Sequence, residues 1–199
     1  MDVPIGTTQL IDSCLHNGRG KAATLLASRG APLNLEAAAG AGQMEAVRSF
    51  FDERGLLRAG ATQRQLQRGF LWACGYGHYD VVKFLLPYGA DLTDQADTSE
   101  TALHWAVISG DVTIIRLLLE HGAPLEDLNA YGGTALGQAE WSFANGDPAV
   151  DYVPVFETLL AAGARIQDGV LAWLDEQETR PAAKRAEVAS VFRRYGAIT

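Results

Sequence analysis

Short amphipathic segments closed by glycine recur along the chain, and Thr101 to Glu126, TALHWAVISGDVTIIRLLLEHGAPLE, shows the pattern most cleanly. Its first half places Leu103, Ala106, Val107 and Ser109 ahead of Gly110, which predicts a helix of about two turns. Its second half carries Val112, Ile115, Leu118 and Leu119, an i, i+3, i+6, i+7 spacing that predicts one apolar stripe on a second helix. Gly110 and Gly122 stand where each helix should stop in a left-handed conformation, which glycine adopts without steric penalty. A pair this short cannot bury its apolar faces alone and needs neighbours of the same kind.

Those neighbours are visible as Gly-Ala pairs that follow apolar runs, at Gly30-Ala31, Gly89-Ala90, Gly122-Ala123, Gly163-Ala164 and Gly196-Ala197. The steps from 89 to 122 and from 163 to 196 are both 33 residues, and the step from 122 to 163 is 41, an insertion of 8. Gly55 divides the gap from 30 to 89 into 25 and 34. A period near 33 and the motifs at the centre of the chain point the same way. Thr101-Ala102-Leu103-His104-Trp105-Ala106 resembles the T-P-L-H-x-A signature of the ankyrin repeat, with Ala102 in place of proline, and Leu118 to Ala123 resembles its LLxxGA ending. The resemblance implies an all-α solenoid of antiparallel helix pairs with projecting hairpin loops, and binding as the class of activity.

Six units are expected within one domain, 1–199: approximately 8–32, 33–58, 63–92, 96–128, 129–167 and 168–199. The first and last serve as caps, since terminal repeats turn one face to water. The 25-residue step predicts a tight turn between units 1 and 2. Arg68-Gly69-Phe70-Leu71 replaces the signature in unit 3, and Pro87 falls at the end of its second helix. Unit 5 opens with Asn129-Ala130-Tyr131-Gly132-Gly133, a composition suited to a hairpin tip. Its insertion, near 143–150, is either a functional loop or plain length variation. In unit 6 Pro181 is placed to open a last helix, Ala182 to Tyr195, with a charged outer face.

Charge narrows the partners. Residues 69–168 hold 3 basic and 14 acidic side chains, a net −11 within a chain of net −8. A centre this acidic repels phosphate backbones, so nucleic acid and anionic membrane surfaces are not expected partners, whereas a basic protein surface fits. No run of about 18 apolar residues spans a bilayer. The start, MDVPIGTTQLIDSC, lacks the charged and apolar regions of a secretory leader. The two cysteines, Cys14 and Cys74, read as buried free thiols, which favours a cytoplasmic location. A monomer is expected.

The residues give no support for catalysis. His16, His78, His104 and His121 fall in four different units with no metal-ligand spacing, and no cofactor motif survives scrutiny. Gly75-Tyr76-Gly77-His78-Tyr79-Asp80 lacks the third glycine of a dinucleotide loop and has no preceding strand. By the resemblance, His104 bonds around the hairpin and Thr101, and His78 has a structural place at a helix start. What remains is surface. Aligned units bring Trp72, Trp105 and Gln138 to equivalent first-helix positions, with Tyr76, Ser109 and Trp141 close by. The resemblance implies that these positions bind, so that Trp72, Tyr76, Trp105 and Trp141 form an aromatic strip on a concave face. Asp97, Glu100 and Tyr131 would flank it and steer a basic protein. Packing of the rings between repeats is the opposing reading. Stacking of the tryptophans on a small molecule or sugar, and permanent docking on an enzyme as a regulatory subunit, are the alternative functions.

Overall fold

A computed structural model of the chain describes residues 7–95 and 99–197. Among the described residues twelve α-helices pair off in chain order, with no strand and an isolated antiparallel bridge between Phe51 and Leu57. The helices gather into two compact units, one within Met1–Asp97 and one within Thr98–Thr199.

The first unit contains α1 (Thr7–His16), α2 (Gly20–Ser28), α3 (Leu35–Gly40), α4 (Met44–Ser49), α5 (Gln63–Gly75) and α6 (Tyr79–Leu85). The short connection before α3 is closed by Asn34, whose side-chain oxygen accepts from the Ala37 N–H at 2.7 Å and caps the helix. Thr62 and Gln65 cap α5 reciprocally: the Thr62 hydroxyl accepts from the Gln65 N–H at 3.2 Å, and the Gln65 side chain accepts from the Thr62 N–H at 3.1 Å. Helix α3 is buried throughout, with Ala37, Ala38 and Ala39 fully enclosed. Small residues let α5 approach it closely. A Cβ added at Gly69 would lie 2.8 Å from the Ala39 Cβ and 3.2 Å from the Glu36 Cα. The departure from the repeat signature at Arg68-Gly69 therefore has a packing cause. Pro87 sits in a short 3₁₀ turn, Leu86–Tyr88, that follows α6 directly.

The second unit contains α7 (Ala102–Ser109), α8 (Val112–Glu120), α9 (Ala135–Asn145), α10 (Val153–Ala161), α11 (Val170–Glu176) and α12 (Ala182–Arg194). Asp111 caps α8 by accepting from the Thr113 and Ile114 N–H groups at 2.9 and 3.1 Å. The buried stripe of α8 differs from the expected one. It consists of Ile114, Ile115, Leu117 and Leu118, while Val112 and Leu119 stay partly exposed. Helix α8 touches both α7 and α10, so it needs two apolar flanks rather than one narrow stripe. Each such side chain contributes roughly 1.5–3 kcal/mol by leaving water.

The insertion is tied into the scaffold. Its first residues lengthen α9 to Asn145. Val150 then packs on Gly110, where an added Cβ would meet its Cγ1 at 2.4 Å, and Gly110 also holds φ at 73° to end α7. Tyr152 is 3% exposed and donates to the Ile108 carbonyl at 3.1 Å. The buried Arg180 donates to the Gly146 carbonyl at 2.8 Å and lies over the Phe143 ring. In α12, Val188, Val191 and Phe192 face the core and Arg193 and Arg194 face solvent.

Candidate functional site

A formed surface cleft lies in the second unit, where α7 and α9 meet the turn at 129–133. That turn is built from Asn129. Its side-chain oxygen accepts from the Tyr131 and Gly133 N–H groups at 3.0 and 2.9 Å, and its backbone N–H donates to the Gly133 carbonyl at 2.9 Å. Gly132 has φ of 80°, which a side chain would resist. The same turn is held from below by His104. His104 Nε2 lies 3.0 Å from the Gly133 carbonyl and Nδ1 lies 2.7 Å from the Thr101 hydroxyl. One arrangement satisfies both: a neutral ring donating from Nε2 and accepting at Nδ1. Burial pushes the His104 pKa below its ordinary value, which keeps the ring neutral.

Behind the turn runs a buried chain of amides and hydroxyls. The Asn129 amide donates to the Gln138 carbonyl oxygen at 3.2 Å, and the Gln138 amide donates to the Ser142 hydroxyl at 3.1 Å. These groups are enclosed, so their mutual hydrogen bonds remove the penalty for burying them. They fix α9 against the turn and so fix what α9 presents outward.

What α9 presents is a cleft of about 650 Å³, bordered by Glu100, Ile108, Tyr131, Gly137, Glu140 and Trp141. Along α9 the positions 137, 138, 140 and 141 face it, while Leu136, Ala139 and Phe143 face the core. Trp141 is 60% exposed and Tyr131 is 84% exposed. Both carboxyl groups in the lining have pKa values raised by burial, with Glu140 pushed up to about 7. Glu140 Oε1 is shut off from solvent and has no hydrogen-bond partner among the described residues. No cation lines the cleft among the described residues. It is an acidic recess with two large exposed rings.

The family model for ankyrin repeats matches residues 70–168, in three copies. The chain is an ankyrin repeat protein. The match runs through the signature at 101–106, the His104 clasp and the whole of the cleft-bearing helix. A comparison with curated proteins finds no match. Ankyrin repeats are, as a class, protein–protein interaction modules built as all-α solenoids, and the paired helices here conform to that fold.

The ankyrin scaffold brings together three of the expected binding residues, Glu100, Tyr131 and Trp141, at one cleft. Others it places differently. Trp72 is a correction: its ring is 4% exposed, and its indole N–H donates to Glu36 at 3.1 Å. It packs edge-on against His16 and is core of the first unit, not part of an exposed strip. Tyr76 stacks on Trp72 and is half-buried, its hydroxyl donating to the Leu15 carbonyl. Burial raises that phenol to about 12. Trp105 is half-buried, and the Ser109 hydroxyl is occupied by the Ala106 carbonyl at 2.8 Å and the Asp111 N–H at 3.2 Å. Asp97 lies outside the described residues. His78 bridges instead of ligating: its Nε2 is 3.1 Å from the Gly40 carbonyl. Cys14 and Cys74 are both free, though Cys14 is only half-buried.

Sequence reasoning passed over Glu140. One acid between Ala139 and Trp141 carries no signal by itself. Counting helical spacing from Trp141 back to Gly137 would have shown Glu140 on the exposed side of α9 beside both.

Proposed function

We propose that this ankyrin repeat protein is a non-catalytic binding module that holds a protein partner at the second-unit cleft. The observation that carries this reading is the pair of exposed rings, Tyr131 and Trp141, beside an acidic recess. Large aromatic side chains left in water beside a formed cavity are the usual anchors of protein interfaces, each worth ~2 kcal/mol or more when truncated. Among the described residues no hydrogen bond or ring contact engages either ring: Trp141 contributes its backbone carbonyl to Asn145 but leaves its ring 60% exposed. The net negative charge of the central segment favours a partner with a basic surface. Two free thiols suit a reducing cytoplasm, and no described helix is long and apolar enough to cross a membrane. With Trp72 in the core, the strip of tryptophans on which saccharide recognition would stack is shorter by one ring.

Immobilised wild-type chain and a Tyr131→Ala, Trp141→Ala double variant, both checked for helicity by circular dichroism, test the reading by capture from lysate. A protein retained by the wild type and lost from the folded variant supports it. Equal retention by both contradicts it.

A further inference from the structure

We propose that the cleft receives one arginine side chain of the partner, its guanidinium seated against Trp141 and Tyr131 and donating to the Glu140 carboxylate. This rests on the binding reading above and names the chemistry it recognises.

Three observations converge on a cation. The cleft is a formed cavity of about 650 Å³, bordered by two carboxyl groups and no cation among the described residues. Glu140 Oε1 is enclosed within the fold and unpartnered among the described residues. An enclosed carboxylate oxygen without a partner is unfavourable in the free protein, and a cation held in the cleft against the same carboxyl group offsets that cost through its charge. The exposed faces of Trp141 and Tyr131 attract cations through their negative π-surfaces. Glu140 lies one residue from Trp141, and both face the cleft from α9.

Arginine fits better than lysine. Its guanidinium is planar, stacks on aromatic rings and is weakly hydrated, so it enters a half-enclosed site at less desolvation cost. It also presents several donors in one plane. The carboxyl groups around this cleft are more than one, with Glu140 and Glu100 both in the lining. A lysine ammonium is a compact, strongly hydrated point charge and gains less from the rings.

The wall of the cleft offers a steric control. Gly137 lines it, and an added Cβ there would meet only the Thr134 hydroxyl, at 3.7 Å, an ordinary contact. Glycine inside a helix is also a poor helix former, so a larger residue at 137 fills the recess without straining α9.

The test is a titration of the ¹⁵N-labelled full chain with blocked tripeptides Gly-Arg-Gly, Gly-Lys-Gly and Gly-Gln-Gly, following the Trp141 indole and Glu140 amide signals. The arginine peptide is expected to shift both signals, saturating in the millimolar range, with the lysine peptide at least threefold weaker and the glutamine peptide inert. Glu140→Gln should weaken arginine binding about tenfold or more, and Gly137→Leu should abolish it, with both spectra otherwise native. Equal binding of the lysine peptide, undiminished binding by folded Glu140→Gln, or no shift at either signal overturns the proposal. If the arginine peptide fails while partner capture still depends on Tyr131 and Trp141, only the arginine assignment falls. If capture does not depend on those rings, the binding reading itself falls.

Discussion

Two partly or fully buried glutamates, one in each unit, live under opposite conditions. Glu36 in α3 receives the Trp72 indole N–H at 3.1 Å and has the Arg68 Nε at 3.1 Å, so its charge is answered from within the fold. Arg68 is in turn held by His16, which accepts from its guanidinium. Glu140 in α9 has an enclosed oxygen with no partner among the described residues, and its pKa is driven up to about 7. The first arrangement closes a core; the second leaves a core-like acid open to a cleft. This difference between the two acids is what supports the proposal that something outside the fold sits at Glu140.

The contrast can be broken from either side. Glu36→Ala should be the most damaging change, since it removes the acceptor of the Trp72 indole N–H and the counter-charge of Arg68; a loss of about 3 kcal/mol is expected by urea denaturation at pH 7. Glu140→Gln should do the reverse. The unfolded chain releases this proton near the ordinary 4.5, while the fold holds it to about 7, so between those values the folded state carries more protons. Stability from this group is then present in full below 4.5 and is lost as pH rises through 7. The variant should be more stable than wild type by about 2–3 kcal/mol at pH 8, with the gap closing towards pH 4.5. A constant gap across that range would remove Glu140 from the account.

His104 gives the opposite slope. Burial lowers its pKa, so the unfolded chain binds the extra proton, and the stability it lends is present above its ordinary 6.5 and falls as pH drops below that value. His104→Ala should cost about 2 kcal/mol at pH 8, from the two hydrogen bonds to Thr101 and Gly133, and proportionately less in acid. Smallest of all should be Tyr131→Ala and Trp141→Ala. Their rings are mostly in water, so thermal unfolding should move by less than about 0.5 kcal/mol equivalent each, with the effect appearing in partner capture.

The repeat was legible because it is carried by local rules: glycines at helix ends, apolar spacing, and a histidine clasp that returns with its motif. Thr101, His104 and Gly133 do in the fold what the signature implies. The aromatic strip was less legible. Equivalent sequence positions gave Trp72 and Trp105 the same rank, yet exposure depends on what the neighbouring repeat supplies. At Trp72 the neighbour offers Glu36 and His16, and the ring turns inward. Neither residue stands in the repeat's signature, so no motif announced them. The 143–150 insertion was undecided for the same reason: its anchoring depends on Gly110 and Arg180, both more than 30 residues away.

The proposed function puts a partner at Tyr131 and Trp141. A photo-crosslinking side chain placed at position 131, and separately at the exposed Leu25 of the first unit as a control, tests it in the native lysate. A discrete adduct is expected from position 131 that disappears when Glu140→Gln or Gly137→Leu is added, and none from position 25. An adduct from position 25 alone, or none from 131, would contradict it, whereas one from 131 that ignores both cleft variants would remove only the arginine seat.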